Sequence, residues 1–155
     1  MKKLLLTLLL AGCVAAPTFP EPNAQWTTFH GQLQYVTAER SLIGEFSAAQ
    51  HAGDFRLEFS KGGAVPLIKV QRSSQAARAD GPLARGRWWG DPMRAPVQLR
   101  GWVDDVPRAF AGVEPMLRRV SNAARPQMEV ERGRPSRIEV PGAQPGEKFI
   151  FIFSR

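Results

Sequence analysis

Apolar and polar residues alternate through three consecutive segments between residues 29 and 59, and this feature constrains the fold more than any other. A period of two is typical of β-strands that bury one face, and the short polar connections predict an antiparallel meander. In the third segment we expect Phe55, Leu57 and Phe59 to be buried and Arg56 and Glu58 to be exposed, because a slip of one residue would reverse the whole set. The apolar positions, interrupted once at Ile43, are Phe29, Gly31, Leu33, Tyr35, Leu42, Gly44, Phe46, Ala48, Phe55, Leu57 and Phe59.

Weaker strand patterns follow along the chain. They lie at residues 65–71, 75–79, 116–120, 128–131 and 138–140. The link 132–135 is predicted as a hairpin turn, and Trp88-Trp89 is predicted as a loop because glycines flank the pair. The final segment, 148–154, is apolar on both faces, so we expect it to be covered on both sides.

A different spacing marks the middle of the chain, where apolar residues recur at intervals typical of one helix face. These residues are Leu99, Trp102, Val103, Val106 and Phe110. Pro96 suits the first turn of such a helix, and Pro107 is expected to end or kink it. The patterns together predict a mainly β fold of the α+β class, either a curved antiparallel sheet or an incomplete β-barrel, covered by one or more short helices.

The residue types that carry enzyme chemistry are scarce. His30 and His51 fall in unrelated segments and Cys13 is the only cysteine, so soft ligands are too few for a metal site. The adjacent pair Asp104-Asp105 would diverge on a helix, which favours a capping or surface role over acid–base catalysis. We therefore expect no catalytic residues, no metal, no cofactor and no enzymatic activity.

The chain is basic, with a formal net charge of +7, of which Lys2 and Lys3 contribute two charges. Such an excess favours anionic partners such as lipid head groups or acidic ligands, or it marks a solvated surface. No nucleic-acid-binding motif accompanies the charge, so nucleic acid is not expected as a partner.

The first residues have the form of an export signal, with two lysines, a short apolar run and then small residues. The run is too short to cross a bilayer, which takes about 20 apolar residues. Its end, Leu10-Ala11-Gly12-Cys13, resembles the lipobox of bacterial lipoproteins. The resemblance implies cleavage before Cys13, a diacylglycerol thioether on its sulfur, and acylation by a fatty acid such as palmitate. The alternative is ordinary cleavage near Ala15-Ala16.

These features predict three parts, namely a signal peptide at 1–12, a lipidated tether at 13–25 and a single β domain at 26–155. The tether is rich in proline, alanine and polar residues, which is typical of a linker. In Gram-negative lipoproteins an aspartate after the lipidated cysteine commonly retains the protein in the inner membrane. Val14 stands at that position, so the resemblance implies anchoring in the outer membrane, facing the periplasm.

The apolar faces of the predicted strands and helix would meet, which leaves two interpretations open. In the first, the helix is a lid and the sheet face holds an acyl chain, with the indoles of Trp88 and Trp89 at the lipid interface. In the second, the helix plugs the sheet and the core is closed. The candidate ligand-binding residues are Leu33, Tyr35, Phe46, Phe55, Leu57, Phe59, Leu99, Trp102 and Val106.

The order of elements resembles the Lol-type lipoprotein carriers and receptors of the Gram-negative envelope. The similarity is carried by FHGQLQYVTAERSLIGEFSAAQHAGDFRLEFSKGG at residues 29–63 and by RPSRIEVPGAQPGEKFIFIFSR at residues 134–155. It implies an incomplete β-barrel lidded by helices, which binds the acyl chains of lipids or lipoproteins and serves lipoprotein localisation.

Two features depart from that family. The chain has room for one helix where the family has more lid, and the loop 61–65 lacks the bulky exposed apolar residue of the receptor. The alternative function is that of a non-catalytic structural or interaction lipoprotein, with a closed core and a partner in the envelope.

Overall fold

The computed structural model describes residues 17–113, 127–131 and 134–154, which form one antiparallel sheet of nine strands and a short helical segment. The predicted leader, Cys13 and the predicted strand at 116–120 lie outside these residues. The strands are β1 Thr27–Val36, β2 Ser41–His51, β3 Asp54–Lys61, β4 Val65–Arg72, β5 Ala77–Gly81, β6 Gly86–Gly90, β7 Gln127–Glu131, β8 Arg134–Pro141 and β9 Lys148–Phe153.

Strands β1 to β5 form the predicted meander, which β6 extends by one further strand, and the last three strands form a second meander that joins it at β1. The order across the sheet is β6-β5-β4-β3-β2-β1-β9-β8-β7, so β1 lies between β2 and the C-terminal strand β9. In this register Leu33 is opposite Gly44 on one side and Phe151 on the other. Within the described residues, the edge strands β6 and β7 do not pair, and the sheet is open. The mainly β fold class is thus confirmed.

Alternation along β3 places Phe55, Leu57 and Phe59 in the core, as predicted, and leaves Glu58 exposed. The prediction for Arg56 was wrong, since only 20% of its side chain is exposed. Its guanidinium binds the Glu21 carboxylate at 2.8 Å. Residues just before the domain thus cover this point of the outer face of the sheet.

Gly44 explains why the apolar face of β2 contains a glycine. A Cβ atom at this position would lie 2.1 Å from the carbonyl oxygen of Ser60 and 2.8 Å from the ring of Phe59. The pairing of β3 with β4 shifts register between the same two residues. The absence of a side chain therefore lets the aromatic ring of β3 pack directly over the backbone of β2.

The helical segment runs from residue 97 to residue 111 and consists of three parts. They are α1 Val97–Arg100, a π turn Gly101–Asp105 and α2 Val106–Ala111. Short 3₁₀ turns precede it at Pro82–Ala84 and Pro92–Arg94.

Pro107 does not end the helical segment, which continues to Ala111. In a regular α-helix the ring of Pro107 would clash with the carbonyl of Val103, and it has no N–H to donate there. The turn before it is widened instead, and the Val106 N–H donates to the Gly101 carbonyl five residues back. The single proline therefore accounts for the π turn.

Two other predictions need correction, and one needs narrower bounds. Trp88 and Trp89 lie in strand β6 and not in a loop, and Trp88 packs on the core while Trp89 is exposed. The predicted hairpin between β7 and β8 is confirmed by their antiparallel pairing, but Arg134 and Pro135 belong to β8 and not to the turn. The C-terminal strand is covered on both sides only in part, because Ile150 is buried but Ile152 on the same face is 47% exposed.

Candidate functional site

The helical segment packs against the inner face of the sheet, and Trp102 forms the centre of one half of this contact. Its ring lies 4.8 Å from Tyr35, 5.9 Å from Phe59 and 4.7 Å from Phe149, measured between ring centroids. The Phe59 ring is stacked and the Phe149 ring meets it edge-on. Offset and edge-on aromatic pairs stabilise a fold by more than the burial of their apolar area alone. Trp102 thus fixes the helical segment over β1, β3 and β9.

Phe110 forms the centre of the other half. Its ring contacts Phe46 at 6.3 Å and Phe55 at 5.3 Å, and it meets Phe151 edge-on at 5.0 Å. Phe29 lies at 5.4 Å on the same side. One aromatic side chain from α2 therefore joins strands β1, β2, β3 and β9.

The nine candidate residues come together in a single buried cluster in which each is at most 5% exposed. The helical side chains contact the sheet phenylalanines directly, so this part of the interior is filled. The candidate set omitted three residues that are equally central, namely Phe110, Phe149 and Phe151. The helical spacing of Phe110 and the apolar run of β9 were the signals that could have included them.

A polar pair lies at the end of this apolar interior. The hydroxyl of Tyr35 donates to Oε1 of Glu147 at 3.0 Å, and the backbone N–H of Gln144 donates to Oε2 at 3.1 Å. Glu147 is buried, and no sequence pattern identified it. Burial, together with the neighbouring Glu147 carboxylate, raises the pKa of Tyr35 to about 12.

This pair predicts a loss of stability at high pH. The unfolded chain ionises Tyr35 near pH 10, whereas the folded chain ionises it only near 12, so stability is full below about pH 10 and falls between the two values. We expect the loss to reach about 1–3 kcal/mol. Tyr35 is the only tyrosine in the chain, so the ultraviolet absorbance of phenolate reports its titration directly.

The matched control is Tyr35→Phe, compared with the wild type by denaturant unfolding across the same pH range. Lysine titration affects both proteins alike, so the difference between them isolates the tyrosine. A phenolate midpoint near the ordinary value, or identical pH slopes in the two proteins, would contradict the assignment.

Asp104 connects the π turn to the sheet. Its carboxylate is buried and binds the Arg72 guanidinium of β4 at 2.9 Å, and Arg108 of α2 binds it as well. The predicted capping or surface role of this residue was therefore wrong. Burial, with Asp104 adjacent, raises the pKa of Asp105 above its usual value.

A cleft of about 330 Å³ opens at the end of the interior where α2 meets the sheet. Phe55, Pro107 and Ala111 form its apolar side, and Arg72 and Arg108 form its charged side. The lining residue Phe55 also contacts the ring of Phe110, so the cleft lies next to the filled interior.

Within the described residues, no group of three or more His, Cys, Asp or Glu side chains is arranged to hold a metal ion. None of the helices in that part of the chain is long and apolar enough to cross a membrane. No protein-family model matches the sequence, and no curated protein matches it significantly.

Proposed function

We propose that the chain is a membrane-anchored envelope lipoprotein that binds the acyl chains of lipids or lipoproteins, with its anchor at Cys13. A bound chain would lie between the inner face of the sheet and the helical segment 97–111, which would move outward to admit it. The observation that carries the proposal is one continuous apolar face on an open sheet, covered in the described residues by a short helical segment.

Apolar burial gives similar free energies to the closed form, in which the helical segment packs on the sheet, and to the loaded form, in which an acyl chain takes its place. Five buried side chains of the helical segment face the sheet, and exposing them would cost about 8–15 kcal/mol. A chain of about 16 carbons would bury methylene groups worth about 12 kcal/mol in the same place. The five side chains are Leu99, Trp102, Val103, Val106 and Phe110. Because these two free energies are similar, an acyl chain could both bind and be released.

The cleft beside α2 supplies a path for loading. Its apolar side leads to Phe55, and its charged side is formed by Arg72 and Arg108, which bind Asp104. An acyl chain could contact the apolar side while its polar end stayed near the arginines. The proposal is for a binding protein and not an enzyme, since the interior that it uses is lined by apolar side chains.

A second candidate function is that of a non-catalytic interaction lipoprotein with a closed core. The direct contacts of Trp102 and Phe110 with the sheet favour it, because they leave this part of the interior filled. In that case the protein would bind its partner through its surface.

A binding measurement separates the two candidates. We expect the chain from residue 13 onward, carrying Cys13→Ala, to bind a fluorescent fatty acid at about one site per domain and to copurify with fatty acid or phospholipid in native mass spectrometry. Ile43→Glu serves as the matched control, because this apolar residue is exposed and lies outside the interior. If neither protein binds the probe and neither carries lipid, the closed-core candidate stands and the acyl-binding one falls.

A further inference from the structure

The described part of the chain exposes seven large apolar side chains. Three of them lie close together in the sequence. They are Trp89, Met93 and Val97, which are 52%, 67% and 50% exposed. We call residues 85–100 the edge segment, because they contain the edge strand β6, the turn Pro92–Arg94 and α1, which is the first part of the helical segment. Four residues of chain span at most about 14 Å, so neighbouring members of this group lie near one another.

The edge segment is also strongly basic. It contains four arginines and a single acidic residue, Asp91. Every one of these arginine side chains is exposed. Only one of them pairs with Asp91, at a distance of 3.8 Å, and another pairs with Asp80 of β5 at 2.7 Å. The arginines are Arg85, Arg87, Arg94 and Arg100. The segment therefore presents exposed apolar groups among cations.

The two tryptophans face opposite ways, which separates their roles. Trp88 is opposite Ala79 of β5, which is fully buried, and it packs against the core. Trp89 is opposite Arg78, and side chains of such pairs share one face of the sheet. Trp89 thus lies on the outer face, and the core does not use its indole.

Residues 19–22, which precede the predicted domain, reach the same outer face. Arg56 binds both Glu21 and the carbonyl oxygen of Phe19, and Pro22 lies beside a surface hollow that Arg78 and Asp80 also line. Phe19 is six positions after Cys13 in the sequence, which allows a separation of at most about 20 Å between the two. An anchor at Cys13 would therefore hold a membrane within reach of the edge segment.

We propose that the edge segment lies on the anionic surface of the bilayer in which the chain is anchored. Indoles favour the interfacial region of a membrane, and exposed arginines are attracted by anionic head groups. Met93 and Val97 supply apolar groups that can enter the boundary between head groups and acyl chains. This inference rests on the lipid anchor of the proposed function and does not depend on acyl binding in the interior.

A fluorescent label tests the contact in the full lipidated chain. Because the sulfur of Cys13 carries the lipid, Met93→Cys introduces the only free thiol, which takes an environment-sensitive dye. The matched control is Ile43→Cys, which labels an exposed apolar position on β2. In vesicles containing phosphatidylglycerol we expect the dye at 93 to brighten and shift to the blue, and the dye at 43 to stay unchanged. Vesicles of phosphatidylcholine alone should give a much smaller response at 93.

A variant that removes one positive charge tests whether the arginines contribute to docking. Arg94→Gln should lower the ratio of docked to undocked protein about fivefold on the anionic vesicles, whereas Arg40→Gln in the β1–β2 turn should leave it unchanged. Equal responses on the two kinds of vesicle, equal responses at 93 and 43, or no response at all would overturn the proposal. In the last case the edge segment is free for a protein partner.

Flotation with phosphatidylcholine vesicles measures the anchor separately. A chain that fails to float with them lacks the lipid, which defeats the anchored part of the proposed function. In that case Cys13 would also take the dye, so docking of the edge segment is then measured on chains that carry Cys13→Ala together with Met93→Cys or Ile43→Cys.

Discussion

Replacing Trp102 by glutamate should weaken binding of the fluorescent fatty acid at least about 100-fold while far-UV circular dichroism still shows the sheet. The side chain is 1% exposed and contacts three aromatic rings of the sheet. A charge there would have to lie against a bound acyl chain or leave the interior with the helical segment. Measuring circular dichroism and probe affinity on one sample gives both answers.

Trp102→Leu is the matched control, because it keeps an apolar side chain at the position. We expect it to lower the free energy of unfolding by a few kcal/mol and to retain probe binding. If Trp102→Glu unfolds the sheet and the wild type binds no probe, the core is closed and the acyl-binding proposal is wrong.

Cys13→Ala should abolish incorporation of radiolabelled fatty acid into the protein. The thioether of a lipoprotein forms on a cysteine sulfur, and this chain has a single cysteine, at the end of Leu10-Ala11-Gly12-Cys13. The variant should accumulate as an uncleaved precursor or as a protein that does not sediment with membranes. One acyl chain alone gives only marginal anchoring, so the wild type should carry two or more.

Gly12→Ala is a suitable control, because it keeps a small residue before the cysteine and should retain the label. Equal labelling of the wild type and the Cys13→Ala chain would rule out the lipid anchor.

Much of the sheet could be predicted because its period is local. Phe55, Leu57 and Phe59 alternate with polar residues, and that pattern alone places them on the buried face. Strand β6 was missed because it has five residues with glycine at both ends, which is also typical of a loop. Its strand character comes from pairing with β5, an interaction that no local pattern contains.

The errors in burial have a common origin in contacts between distant parts of the chain. Arg56 is covered because Glu21 binds it, and Asp104 is buried because Arg72 of β4 supplies the opposite charge. Tyr35 and Glu147 form their hydrogen bond across 112 positions of the sequence. Patterns in a single sequence indicate which residues prefer to be exposed to solvent. They do not indicate which distant residue will pair with a charged side chain and allow it to be buried.

The burial of the helical candidate residues could be predicted because their spacing is local. The spacing of Leu99, Trp102 and Val106 places them on one face of a helix, and the structure buries all three against the sheet. The π turn could not be predicted from that spacing, because it results from the particular position of Pro107 within a helix that tertiary packing maintains.

The place of β1 in the sheet also determines when the protein can fold. Its two neighbours are β2, which follows at once, and β9, which is the last strand of the described chain. Pairing over so long a separation is slow, because the chain loses much entropy before the contact forms. The two halves of the sheet therefore cannot join until the C-terminal strand is available. In the exported lipoprotein that we propose, this delay would help the chain to cross the membrane before it folds, since β1 and β9 cannot pair until residues 148–153 have followed.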